Sequence, residues 1–499
     1  MILPSITYGL FLISVVGLYW AVGRRSLRIP LLAIASLVFY TSLQVEYVPL
    51  MLALVVVNFF WGQVLVTPMD WRIPNEQWQV AEQGWNRRRR LLLGLGIGVN
   101  GLILIAFKYA DTWLGWILPQ AWLTPDTITG EPPGWLAIAL PLGLSFFTFE
   151  CIAYLVDVYR GAPATGNFLE FTAYKLFFPK LISGPITRFH AFTHQLKDSP
   201  TLDWNWVVEG LWLIAVGSVK KLLIADHIGV LVNLSLGNLE RAGSGDLWLA
   251  LFAYGFQLYL DFSGYVDIAR GSALLMGINL PQNFNFPYFT TSIADFWRRW
   301  HMTLGDWLRN YLYFPLGGSR VGLARTCLNL IFVMAIAGVW HGDTWGFLIW
   351  GGIHGLALAI HRLNHGVTKR VPLLQGFWKN PLGILVSWGL TQAVVFFSWL
   401  FFRLPEPRQY ALALQKLWGV PSDAQFTQQV YGESLGLSVP QLWGLLGLVA
   451  VAMGIAYGIQ RGLKLQISWP LKLLLVPLCL FAAWILAPTE SLPYIYFEF

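Results

Sequence analysis

Two histidines stand where an apolar chain has little use for them. His341 lies inside AGVWHGDTWGFLIWGGIHG (Ala337 to Gly355), between Trp340 and Gly342, and His301 lies in DFWRRWHMTLGDWLRNYLYFPLGGSR (Asp295 to Arg320), next to Trp300. An ionisable group at membrane depth is costly, so His341 marks a functional position by default, while His301 can turn inward beside Trp297. The bland alternative is a neutral imidazole hydrogen-bonded to a carbonyl across a helix interface, and the local pattern does not choose between the two. In LYLDFSGYVDIARG (Leu258 to Gly271) the Asp261 carboxylate interrupts an apolar run and needs a donor or a cation, whereas Asp267 and Arg270 are spaced to pair with each other. Ser263 lacks the glycine frame of a serine-hydrolase elbow. In FFPKLISGPITRFH (Phe177 to His190), Lys180 and Arg188 bring positive charge to a segment broken by Pro179, Gly184 and Pro185. That charge suits an anionic cofactor phosphate or a lipid head group equally.

The elements that must position these groups are membrane spans. Of the 499 residues, 56% are hydrophobic and 12% charged, about half the charge content of a soluble domain. The chain is therefore read as all-α and polytopic. The net charge of +7 sits in short loops between apolar runs, which points to membrane orientation and away from nucleic acid. Cys151, Cys327 and Cys479 are scattered in apolar segments with no metal-binding spacing. No basic leader or cleavage site precedes the first apolar run, so Met1 onward reads as a first span.

Spans are expected at Ile6–Val22, Leu31–Leu43, Val48–Val66, Leu91–Phe107, Trp135–Val158, Trp206–Val219, Leu247–Leu260, Leu328–Trp340, Trp345–Ile360, Leu382–Phe402, Leu442–Tyr457 and Leu473–Ala487. Arg24, Arg25 and Arg28 follow the first span. Arg72 and Arg87 to Arg90 follow the third, and Arg160, Lys175, Lys180 and Arg188 follow the fifth. The turn at Gln44–Glu46 and the stretch Tyr109–Pro133 carry no basic residue, the latter holding Asp111, Asp126 and Glu131. By the positive-inside rule the N-terminus lies outside and the arginine run is cytoplasmic.

The middle of the chain is irregular. Phe171 to Ile186 and Tyr311 to Gly318 are too short or too interrupted to span. Such backbone persists at membrane depth only when protein or a wet cavity surrounds it. His341 falls on a continuing helix or at a break between two helices, and Gly342, Asp343 and Gly346 favour the break. Phe296, Trp300, Leu304 and Leu308 define one face of an amphipathic helix whose Arg298 and Arg299 suit an interfacial anchor.

Taken together, these stretches resemble the membrane-bound O-acyltransferase family, in its bacterial branch acting on cell-surface polysaccharides. PKLISGPITRF, DFSGYVDIARG, NFNFPY, the arginine–tryptophan–histidine stretch and the WHG stretch occur in that family's order between about Glu150 and His361. The ending YIYFEF is similar to that of alginate O-acetyltransferase membrane subunits. The resemblance implies one multi-pass domain over residues 1–499, with N-terminal spans in 1–149, a catalytic core in 150–361 and C-terminal spans in 362–499. It implies a ring of spans around short tilted and re-entrant helices enclosing a tunnel. His341 matches the family's catalytic histidine and His301 the branch's second histidine. Asp261, Lys180, Arg298 and Trp340 are the candidate donor-binding residues.

Acyl transfer to a hydroxyl needs a base, and burial favours the neutral imidazole that can accept the proton. The resemblance further implies an acyl thioester donor, such as acetyl-coenzyme A or an acyl-carrier protein, used as substrate with no tightly bound cofactor and no metal. It implies a polysaccharide acceptor, an outer-face acyltransferase or lipoprotein as partner, membrane lipid around the spans, and residence in the cell inner membrane. Two alternatives stay open. One is D-alanyl transfer toward teichoic acid from a carrier-protein thioester. The other is a transporter with no chemistry, which broken helices would also serve.

Overall fold

A computed structural model describes residues 3–66, 78–117, 140–198, 201–488 and 492–497. Arg72, Asp126, Glu131, residues 135–139 at the start of the expected fifth span and residues 498–499 of the aromatic ending lie outside the described residues, as do the side chains of Arg25 and Asp111. Every regular element among the described residues is helical. Six of these helices are long and apolar enough to cross a membrane: Val45–Val66, Gln79–Lys108, Leu323–His341, Trp345–Thr368, Pro381–Arg403 and Val439–Gly462. The protein is an all-α, integral membrane protein. It divides into two compact units, Met1–Gly210 with Ala269–Pro281, and Leu211–Ile268 with Gln282–Phe499.

In the first unit, α1 (Ile6–Ala21) and α3 (Val48–Val66) match expected spans to within a few residues, whereas α2 (Arg25–Thr41) starts well before the expected Leu31 and takes in Arg28, expected in the preceding loop. The fourth does not begin where expected. Helix α4 (Trp78–Lys108) starts well before Leu91 and contains the arginine run. Arginine is a good helix former, and Arg89 has a further role. It donates to the carbonyls of Leu65 at 3.1 Å and Tyr159 at 2.7 Å, near the C-termini of α3 and of α5 (Leu144–Tyr159). It thereby serves two sets of helix-end acceptors. Helix α5 packs against both α3 and α4. Asn58 and Asn100 exchange amide hydrogen bonds of 3.1 and 2.9 Å between α3 and α4.

The single helix α6 (Ser244–Leu274) passes through the polar positions Asp261, Ser263 and Asp267 without a break. At 31 residues it is about 46 Å long. The expected span Leu247–Leu260 is only its first half. The amphipathic helix expected around Arg298 is two helices, α7 (Ile293–Arg299) and α8 (Met302–Leu308). No proline or glycine separates them. The break falls at Trp300 and His301, where the backbone ties to a distant segment instead of continuing the helix.

The second unit is built on two tightly packed helices, α9 (Leu323–His341) and α10 (Trp345–Thr368). Glycines at the contact allow the close approach. A Cβ on Gly338 would collide with the Phe347 carbonyl, and one on Gly351 with that of Met334. Helix α11 (Pro381–Arg403) packs on α10.

Candidate active site

His341 is the last residue of α9. Gly342 is extended, with φ −176° and ψ 174°, and α10 begins three residues further on. The break anticipated from Gly342 and Gly346 is present, and it places the imidazole at a helix C-terminus. His341 is 2% exposed. Its ring centroid lies 4.6 Å from Trp340, 5.0 Å from Phe402 and 5.1 Å from Trp350, the last perpendicular to it.

His301 is fully buried and occupies the position just before α8, with φ +42°. A side-chain-bearing residue in this left-handed region costs about 1–2 kcal/mol and persists only where its surroundings over-determine it. Its ring stands 4.9 Å from Phe262.

The two histidines share two aromatic neighbours. Trp340 lies 6.5 Å from His301 and 4.6 Å from His341. Tyr496 lies 5.8 Å from His301 and 5.9 Å from His341. Sequence reasoning does not single out Tyr496, although it belongs to the aromatic ending that carries part of the resemblance. The candidate site is therefore a cluster of aromatic rings packed around two buried imidazoles.

Tyr496 is held by an ionic clamp. Lys221 binds Asp261 at 2.7 Å and Asp226 at 2.8 Å, and all three are at most 2% exposed. The same ammonium donates to the carbonyls of Leu492 at 2.8 Å and Pro493 at 3.3 Å and sits 4.4 Å from the Tyr494 ring. The second oxygen of Asp261 accepts from the Ile495 N–H at 3.0 Å. The cation that Asp261 needs is thus Lys221, and the carboxylate also holds the segment that carries Tyr496.

The remaining candidates have other engagements. Lys180 belongs to the first unit, where its ammonium meets both oxygens of buried Glu150 at 2.7 and 2.6 Å. Lys175 and Thr187 bind the same carboxylate. Arg298 is largely exposed and lies 3.6 Å from Asp295. Asp267 pairs with Lys220 at 2.6 Å, and Arg270 donates to the Leu280 carbonyl. His354, in the same stretch as His341, has both ring nitrogens bonded. Nδ1 accepts from the Trp297 indole at 3.3 Å, and Nε2 lies 2.9 Å from Ser398 Oγ, which itself donates to the Val395 carbonyl. That arrangement fixes the proton on Nε2 and makes His354 a structural histidine.

The sequence model of the membrane-bound O-acyltransferase family matches residues 102–392, a range that includes both His301 and His341. The chain belongs to this family. Like its membrane-bound O-acyltransferase relatives, it is an enzyme that transfers an acyl group to oxygen. It is 38% identical to the probable alginate O-acetylase AlgI of Pseudomonas putida over 79% of this chain and 75% of the relative. It is 34% identical to the peptidoglycan O-acetyltransferase of Helicobacter pylori over 74% and 70%. It is 30% identical to the teichoic acid D-alanyltransferase of Streptococcus thermophilus over 52% and 68%. Among the described residues of this O-acyltransferase, no three His, Cys, Asp or Glu side chains group as a metal-ligand set.

Proposed function

We propose that this O-acyltransferase takes an acetyl group from a cytoplasmic thioester, such as acetyl-coenzyme A or an acyl-carrier protein, and passes it toward hydroxyls of a cell-surface polysaccharide. The observation that carries the proposal is the convergence of two buried imidazoles on one shared pair of aromatic walls. In this reading His341 accepts the proton of the attacking hydroxyl. The oxygen forms a bond to the thioester carbonyl carbon, the carbon–sulfur bond breaks, and the departing sulfur takes the proton from His341 as a free thiol. A positioned base of this kind is worth roughly 10²–10⁴-fold.

The seat of His341 at the C-terminus of α9 supports the role. The carbonyl end of a helix stabilises the imidazolium that proton transfer creates. His301 orients the donor or stabilises the carbonyl oxygen, and Trp340 walls the acyl position between them. The charges of Asp261, Lys180 and Arg298 already meet protein partners, so the proposal does not route the donor through them. The protein lies in the cell inner membrane with its N-terminus outside and the Arg87–Arg90 run in the cytoplasm. An outer-face acyltransferase or lipoprotein receives the acetyl group for the polymer.

The higher identity and coverage of the alginate O-acetylase relative favour acetyl over D-alanyl transfer. The test is to supply membranes containing the enzyme with labelled acetyl-coenzyme A, with an acetyl-carrier-protein thioester or with a D-alanyl carrier-protein thioester, and to follow free thiol. Thiol release from an acetyl thioester supports the proposal. Release from the D-alanyl thioester alone favours D-alanyl transfer, and release from none overturns the assigned donors.

A further inference from the structure

The NFNFPY segment (Asn283 to Tyr288) has no part in the chemistry above, yet it holds the backbone on both sides of His301. A helix begins with N–H groups that lack partners inside it, and the residue before the first turn usually supplies an acceptor. At α8 that position belongs to His301, whose side chain makes no cap. The acceptors come from Asn283 instead. Its carbonyl accepts from the Met302 N–H at 2.9 Å, and its Oδ1 accepts from the Thr303 N–H at 3.0 Å and the Thr303 hydroxyl at 2.7 Å. On the other side, the Asn285 N–H donates to the Arg299 carbonyl at 3.0 Å. Asn283 is fully buried, and its Nδ2 has no hydrogen-bond partner among the described residues. The acceptor oxygen is the working end of this side chain.

We infer that Asn283 is a positioning residue for His301. It caps α8 from a distant segment, and in doing so it holds His301 in the left-handed conformation and releases the imidazole from the capping duty its position would impose. The inference rests on the reading of His301 as part of the acyl-transfer site, but the geometry it assigns can be read without activity.

The test uses the full-length protein in lipid nanodiscs, with histidines labelled at 13Cε1. The chain has eight histidines, and the His301 resonance is assigned with His301→Ala. Asn283→Ala is expected to shift or broaden that resonance while leaving those of His341 and His354 in place. Asn283→Asp keeps an acceptor where Oδ1 stands and is expected to preserve the His301 resonance. Acyl transfer should follow the same order, with Asn283→Ala lowering kcat by up to about 10²-fold, the cost of misplacing a site group by ~1 Å. Asn283→Asp should stay near wild type, and KM for the donor should change little in either variant. If Asn283→Ala does not accumulate, Asn283→Gln, which moves the acceptor by one methylene, takes its place. An unchanged His301 resonance in Asn283→Ala or Asn283→Gln would overturn the inference, as would a displaced one in Asn283→Asp. A shifted resonance together with full activity in His301→Ala would instead leave the positioning intact and remove His301 from the chemistry.

Discussion

Tyr496 stacks on Phe262, with ring centroids 3.8 Å apart and planes 22° apart. From that seat its ring faces both His301 and His341. The neighbour of Phe262 in α6, Asp261, holds the backbone of the same segment through Ile495. One helix therefore fixes both the ring and the chain that presents it, and the 492–497 segment forms part of the wall of the candidate site.

Removing that wall should impair the reaction. Tyr496→Ala opens space beside both imidazoles and admits water to a site built from rings, where exclusion of water strengthens each polar interaction. The fixed dipoles that stabilise charge developing in the transition state act more weakly once water competes with them. Acyl transfer per molecule is expected to fall by about tenfold or more. Transfer assays normalised to the amount of protein in the membrane measure this directly.

Lys221 faces two carboxylates, so its loss leaves two buried negative charges. Lys221→Met is expected to cost about 3–5 kcal/mol and to free the 492–497 segment. Thermal unfolding in detergent and limited proteolysis near residue 492 report the two effects. Asp261→Asn keeps an acceptor for the Ile495 N–H and should be the milder change.

His354 and His341 should separate by phenotype. His354→Ala breaks bonds to Trp297 and Ser398 and leaves a cavity against both tryptophan and serine, which lowers stability by about 2–4 kcal/mol. Its protein yield and thermal midpoint should drop while activity per folded molecule survives. The reverse pattern is expected for His341→Ala.

Lys180 offers a test of the donor path. With its ammonium bound to both oxygens of Glu150, Lys180→Met should reduce protein accumulation and leave the KM for the thioester donor unchanged. A raised KM at normal abundance would show that this lysine meets the donor after all.

Much of this architecture is legible in the sequence because apolar length and glycine placement act locally. The α3 boundaries and the end of α9 at His341 follow from such signals. The arginine run misleads because helix propensity and side-chain reach carry α4 beyond its apolar part. The division of α7 from α8 cannot be read locally, because it depends on Asn283 and Asn285 reaching across from another segment. The same holds for Lys221, which lies far along the chain from both Asp261 and the segment it holds. Tyr496 carries a visible signal in its aromatic ending, but only the fold brings that ending to the histidines.

The most direct test of the account is the acetyl content of surface polysaccharide in cells carrying His341→Ala, with the membrane abundance of the protein measured alongside. The account predicts that acetylation is lost while the protein accumulates normally. Unchanged acetylation at normal abundance would remove His341 from the mechanism and contradict the central claim.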